Sequence, residues 1–575
     1  MPRRDVWTWA ERMAALGLYL AASVGVLGRP LLGRFASAYV GAGADPTLSM
    51  WCLVWWPYAL VHGLNPLETP LVWAPVGFNL TWTTPIPGPS LLAAPLTGTI
   101  GPIATYNLLV LLAPALAAWT AYRLCRHVTG ACWPALLGGA IFGFSAYEVT
   151  HALSHLHAIL ICLVPYCVHV ALLHVEGGLS TRALLVRATA ALLGQFLCSA
   201  EIFATLSVVG GVVFLLAGVV VPREQRRRLA ATAAAFAAAY LLALLVVSPY
   251  VFHMVAHGIP TSPLHPLDHY SADLLNVVVP TPVMWLGHLR PILRLALRTY
   301  LGQLGEPTAY VGIPLLVIVE RFRRAQGGLA AGRLLLMSTG VMVLAACGPT
   351  LHVAGVPLLP LPWRLVAHVP LLQHALPVRL TMYVFLGLAL IVALWWRVDD
   401  GPRWLKRALV LASVLAAWPN PLAAVAVTRA TTPALFREGL SRALVPGENV
   451  LVVPAQQNGR SMLWQASTGM AFRMVVGHVG VGPPAAFAPW RDLLGALQVG
   501  IPPSPGDEAS LREFLAVHQV TAILVVLDDE FIKRSRAPSR ERWEHFFSGL
   551  GVTPREVGGV LVYRLEPSKF VVKKS

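Results

Sequence analysis

Seven acidic residues stand in the apolar part of the chain outside its arginine-rich connections: Asp45, Glu68, Glu148, Glu201, Asp268, Asp273 and Glu306. A charge beside apolar helices is costly to keep and tends to mark function. A carboxylate so placed can take a proton from a hydroxyl, and several together suit Mg²⁺ or Mn²⁺. Asp45, Asp273 and Glu306 fall in long connections. Glu148 and Glu201 fall at the ends of apolar segments, where snorkelling or capping is the simpler role. Asp45-Pro46 also reads as a helix start, with Asp as N-cap and Pro at the first helical position. Two histidine sets accompany the acids, one of His151, His155 and His157 and one of His253, His257, His265 and His269. Their spacing is imperfect for zinc, and no acid is interleaved in the first set.

Other chemistries are excluded. The lysines are Lys406, Lys533, Lys569, Lys573 and Lys574, and none follows a glycine, so there is no P-loop. No H-E-x-x-H, G-x-S-x-G, potassium-filter or strand–G-x-G-x-x-G–helix pattern occurs. The seven cysteines are scattered and odd in number, which is no disulfide framework.

The elements that must hold these residues are set by composition. The chain has 575 residues, 56% hydrophobic and 12% charged, and a mean hydropathy of +0.65. Soluble domains carry about 25% charged residues, so the composition is that of a polytopic α-helical membrane protein. Apolar segments run at 13–32, 103–122, 132–149, 157–175, 184–199, 203–221, 229–252, 309–320, 334–347, 380–396 and 405–427, which predicts about eleven transmembrane helices. With the N-terminus inside, the cytoplasmic connections hold 19 basic residues and the outer ones before residue 428 hold seven. The net charge of +16 is thus mostly a topology signal rather than a nucleic-acid footprint. The first segment ends well before Ala36-Ser37-Ala38 and reads as an uncleaved helix. Outer loops at about 33–102, 253–308 and 348–379, rich in Trp, Pro and His, point to an extracytoplasmic site. Trp51, Trp55 and Trp56 read as an interfacial belt. Arg290, Arg294 and Arg298 share one helix face and suit lipid headgroups.

After residue 427 the composition changes. Short β-type runs at 449–454, 471–476, 520–527 and 559–565 alternate with helical patterns such as 510–518 and 538–549. The expected organisation is a transmembrane domain over 1–427 and a small extracytoplasmic α/β domain over 428–575.

Several fragments occur together in order: Gly41-Ala42-Gly43-Ala44-Asp45-Pro46 with the aromatic stretch 48–63, Ala104-Thr105-Tyr106-Asn107-Leu108, Phe144-Ser145-Ala146-Tyr147 with His155-Leu156, Tyr270-Ser271-Ala272-Asp273-Leu274-Leu275, Glu306 before Tyr310-Val311-Gly312, and Leu376-Pro377-Val378-Arg379. Over most of residues 10–400 the chain resembles the bacterial polytopic glycosyltransferases of the GT-C superfamily. In that class an acidic residue sits in the first outer loop. Many members carry a pair of acids there, whereas Asp45 stands alone.

The resemblance implies sugar transfer from a polyprenyl-phosphate donor to an acceptor hydroxyl on a glycan, lipid or protein, at the outer face of the cytoplasmic membrane, in the service of the cell envelope. A single, inverting displacement needs one base, and Asp45 is its candidate. Base, metal ligand and helix cap remain alternatives for it. Asp273 and Glu306 would orient the acceptor or hold Mg²⁺ or Mn²⁺ with Asp45. The leaving phosphate needs cations, and outward Arg379 and Arg364 are candidates because guanidinium binds phosphate in a bidentate way. His155 is a further candidate phosphate or sugar contact. Membrane lipids are expected partners and nucleic acid is not. The competing readings are a lipid or glycan flippase without catalysis and a GT-C-like scaffold that only binds. A proton-coupled transporter wants its acids in mid-helix, whereas these lie in loops or at helix ends.

Overall fold

The computed structural model describes residues 8–300, 306–369, 372–420, 427–499, 507–527 and 540–566. Parts of the predicted segments and loops at 301–305, 370–371, 421–426 and 538–539 lie outside the described residues. The protein is mostly helical, at 65%. Among the described residues, six helices are long and apolar enough to cross a membrane: Trp9–Leu31, Ala94–Thr129, Leu156–Val175, Ala200–Val220, Arg223–Val246 and Pro377–Trp395. The chain is a multi-pass membrane protein. The remaining apolar segments form shorter or less apolar helices, among them Cys132–Gly143 with 12 residues, Ile313–Gln326 with 14, Ala330–Ala346 with 17 and Arg403–Ala416 with 14. At 1.5 Å per residue, a helix of about 14 residues covers roughly 21 Å of a hydrocarbon core of about 30 Å.

By spatial proximity the chain falls into two units. One comprises Met1–Leu32 and Leu108–Ala426, the other Gly33–Asn107 and Val427–Ser575. The second therefore takes in the long segment 33–107 as well as the C-terminal part, a grouping that the sequence boundary at 427/428 did not contain.

In the first unit, the helix Thr381–Trp395 is apolar on all faces and almost wholly buried, as a helix surrounded by other helices must be. It packs on Cys132–Gly143. Gly138 permits that approach, because a Cβ there would lie 2.6 Å from Cys125 Sγ and 2.9 Å from the Ala389 carbonyl. Small residues at helix contacts are the usual means of close packing in a bilayer.

The second unit is built on a five-stranded mixed sheet. Its order is Arg555–Val557, Val560–Arg564, Ala522–Val526, Asn449–Val453, Arg473–Met474. Asn449–Val453 pairs in parallel with Ala522–Val526 and with Arg473–Met474, and the other two pairings are antiparallel. The four β-type runs of the sequence supply four of these strands. All five residues of both Asn449–Val453 and Ala522–Val526 are buried, so those strands read as continuous apolar runs rather than alternating ones. The helix Asp45–Val61 packs on Ser461–Ser467 in the same unit. Trp51, Trp55 and Trp56, expected as an interfacial belt, are instead buried here. Their indole N–H groups donate to Gln465 Oε1, the Pro66 carbonyl and the Pro85 carbonyl. A buried indole needs such a partner, and the sequence does not show where one will be.

Candidate active site

In the first unit, six segments converge on one buried cluster. The short helix Ala146–His151 begins at Ser145, whose side chain accepts from the Glu148 N–H at 3.2 Å. It presents His151. The loop that follows carries His155, and His157 lies in the next turn, Leu156–Ile159. Glu201 occupies the first turn of Ala200–Val220, where the helix dipole favours an acid. Arg379 sits in the single turn Pro377–Leu380 that leads into Thr381–Trp395. Glu306 comes from the second long loop and is buried.

The ionic geometry is specific. Arg379 Nη1 donates to Glu201 Oε2 at 2.5 Å and to His157 Nε2 at 3.2 Å. Arg379 Nη2 lies 3.8 Å from Glu306 Oε1. His155 Nε2 is 3.5 Å from Glu306 Oε1, and His151 Nε2 is 3.6 Å from Glu306 Oε2. Burial by itself would raise the Glu306 carboxyl. The charges of His155 and Arg379 and the His151 ring outweigh burial and hold it below the ordinary carboxylate range. Glu306 is therefore an anion held in a dry place. Glu148, fully buried nearby in sequence, has no hydrogen-bond partner for either carboxylate oxygen among the described residues.

His151, His155 and Glu306 each offer a ligand atom, all within 4.8 Å of one another. His151 Nδ1 lies 2.9 Å from the Tyr147 carbonyl, an acceptor only, so the neutral ring carries its proton on Nδ1. Its Nε2 faces Glu306 Oε2, where it donates to the carboxylate when the ring is charged and presents a lone pair when it is neutral. Both atoms are buried and lack a hydrogen-bond partner among the described residues. Two acceptors 3.6 Å apart repel unless a cation or a proton lies between them, and a backbone carbonyl on the far ring nitrogen is how metal-binding imidazoles are oriented. The donor set, two imidazoles and one carboxylate, differs from the all-oxygen Mg²⁺ or Mn²⁺ site expected from Asp45, Asp273 and Glu306, and of those two ions it suits Mn²⁺ better, as it suits other divalent transition metals.

Asp273 does not join this cluster. Its Oδ1 accepts from the N–H groups of Leu275 at 2.8 Å and Ala354 at 3.0 Å, and its Oδ2 from Gly355 at 2.7 Å. It ties the turn Leu274–Val277 to the tip of the hairpin formed by Thr350–Val353 and Val356–Pro360. Three backbone donors occupy the carboxylate that the sequence offered to substrate or metal. Arg364 stands exposed on the short helix Trp363–Val366, away from any carboxylate among the described residues.

Asp45 belongs to the second unit. It is the first residue of Asp45–Val61, and the cap position falls to Ala44. The Asp45 Oδ1 is 2.9 Å from His478 Nε2, and its side chain keeps 39% of its surface exposed. The imidazole donates from Nε2 and fixes one carboxylate oxygen. His478 went unnoticed in the sequence because it lies 433 positions away and no motif surrounds it. Glu201, a helix-end acid by sequence, is the partner of Arg379.

No protein-family model matches the sequence, and no curated protein sequence matches it either. Solved structures do. The arabinofuranosyltransferase AftD from Mycobacteria superposes with a TM-score of 0.64 at 14% identity, over 97% of this chain and 40% of AftD. This chain therefore spans well under half the length of that protein. The oligosaccharyltransferase of Archaeoglobus fulgidus in its apo form gives a TM-score of 0.53 at 11% identity, over 91% of this chain and 70% of its own. ArnT from Cupriavidus metallidurans in its apo state gives 0.50 at 10% identity, over 97% and 98%. The polytopic membrane fold of this chain is that of the GT-C glycosyltransferases.

Proposed function

We propose that the protein is an integral membrane glycosyltransferase that moves a sugar from a polyprenyl-phosphate donor to an acceptor hydroxyl at the outer face of the cytoplasmic membrane. The observation that carries this reading is the GT-C fold holding a buried, charged His/Glu/Arg cluster beside apolar helices. Ionised groups so placed are expensive and are kept for work on a charged ligand. The excess of basic residues in alternate connections supports an N-terminus in the cytoplasm.

In the reaction, the acceptor oxygen attacks the anomeric carbon as the bond from that carbon to the phosphate oxygen breaks. The phosphate leaves with the bonding electrons and needs little acid assistance. The acceptor proton goes to Asp45, and His478 positions that carboxylate. Within the first unit taken by itself, Arg379, whose Nε–H has no hydrogen-bond partner among the described residues, offers a donor to an anionic group, and Glu201 and Glu306 hold its guanidinium in place. A single displacement inverts the anomeric configuration.

In the first unit, His151, His155 and Glu306 are the residues that would hold a divalent cation, which would supply positive charge to an anionic group there. Elemental analysis of the purified protein should find about one equivalent, lost on His151→Ala. A metal-free wild-type protein after supplementation rules the site out.

The function is tested in vesicles with the purified protein, a polyprenyl-phosphate sugar and a panel of acceptor glycans. The expected result is stoichiometric free polyprenyl phosphate and glycosylated acceptor. Movement of intact donor between leaflets without phosphate release would make the protein a flippase instead.

A further inference from the structure

The second unit contains a basic cavity with no part in the displacement just described. The strand Ala38–Val40 pairs antiparallel with Val427–Arg429, Ala38 opposite Arg429, and the Ala430 N–H donates to the Ser37 carbonyl at 2.9 Å. This ribbon carries Arg34 and Arg429 to one place. Arg437 joins them from the turn Leu435–Gly439. The three arginines line a cavity of about 780 Å³ together with Thr431, Thr432 and Trp464, and among the described residues no acidic one lines it.

Two features separate this trio from ordinary surface arginines. The first is pairing. In the same unit Arg512 pairs with Glu508 at 3.0 Å, Arg540 with Glu556 at 2.7 Å and Arg564 with Glu448 at 2.6 Å. Arg34, Arg429 and Arg437 have no carboxylate partner among the described residues. Three cations around one space repel each other unless an anion or water fills it.

The second feature is a built wall. The buried Arg460 donates from Nη1 to the Arg429 carbonyl and to Thr431 Oγ1, both at 2.8 Å. The buried Trp464 donates to the Thr431 carbonyl at 3.1 Å. Gly558, at φ +56°, also lines the cavity, and a Cβ there would stand 2.4 Å from the Leu435 nitrogen. The arginine heads have no carboxylate partner among the described residues, and the backbone that carries Arg429 and the threonines is held. Such preorganisation lowers the cost of binding.

We propose that this cavity binds a phosphate-bearing saccharide, its phosphate taken by Arg34, Arg429 and Arg437 and its hydroxyls by Thr431 and Thr432. Guanidinium groups match phosphate in a bidentate way, and the volume lies within the range of small-molecule sites. The phosphate can belong to a soluble sugar phosphate or to a lipid headgroup at the membrane surface.

The test uses the full chain in nanodiscs of neutral lipid, titrated calorimetrically with glucose 1-phosphate and, separately, with glucose. Sugar phosphate is expected to bind and glucose not. The Arg34→Gln/Arg429→Gln/Arg437→Gln protein should bind at least tenfold more weakly. The exposed single substitution Arg437→Gln should weaken binding severalfold without changing the melting temperature, which covers the case of a triple variant that fails to fold. Rising salt should weaken the wild-type interaction. Repeating the titration in discs containing phosphatidylglycerol distinguishes the sources. Competition by the anionic lipid in wild type assigns the phosphate to a headgroup, and unchanged binding assigns it to a soluble ligand. Equal affinity of wild type and Arg437→Gln, or no phosphate binding in either disc, overturns the proposal. Binding is read without turnover, so loss of the transfer activity proposed above leaves this result standing.

Discussion

Asp45→Asn is expected to leave the protein folded and to slow sugar transfer by about 10²–10⁴-fold, the usual contribution of a positioned general base. Asn keeps the size of the side chain and its carbonyl oxygen can still accept from His478, so only the charge and the basicity are lost. The helix Asp45–Val61 should survive, because its cap is Ala44 and Pro46 keeps the first turn preset. The exposed part of the carboxylate leaves room for an acceptor hydroxyl. The readout is the initial rate beside a melting curve. His478→Ala should lower the rate less, since it frees the carboxylate without removing it, while His478→Gln, which still donates a hydrogen bond, should recover part of the loss. A well-folded Asp45→Asn protein with near-wild-type transfer would take Asp45 out of the reaction, and Glu306 would be the next base to test.

The second large effect is on stability. Arg379→Ala should cost about 3–5 kcal/mol, because removing one partner of a buried ion pair leaves the other charge uncompensated. Two carboxylates depend on this guanidinium. Glu201 is paired with it at 2.5 Å and Glu306 faces it at 3.8 Å. Arg379→Lys should fall between wild type and Ala, since a single ammonium cannot meet Glu201, Glu306 and His157 with the geometry of a planar fork. The measurement is the unfolding midpoint of each variant in one detergent. An unchanged midpoint for Arg379→Ala would mean that the cluster does not rest on this charge.

Local pattern made much of this protein legible in one dimension. The eleven apolar segments are runs mostly separated by arginine-bearing connections, and all of them contain helix; among the described residues six helices meet the length and hydropathy needed to cross a bilayer. The runs at 449–454, 471–476, 520–527 and 559–565 lie on strands of one sheet. Asp45, His155, Glu306 and Arg379 stood out as charged or titratable groups beside apolar segments, where the cost of keeping them requires a reason. Their partners were not legible. Glu201 and Arg379 are 178 positions apart, and Asp45 and His478 are 433 apart. The acids Asp273 and Glu306 look equivalent in sequence, each in the same long loop. Only the folded chain separates them, giving Asp273 three backbone N–H groups and Glu306 two imidazoles and a guanidinium. Helices and strands follow from hydrophobic period and run length, which are properties of neighbouring residues. The role of a charge follows from what lies within about 4 Å of it, and that is decided by which distant segments pack together.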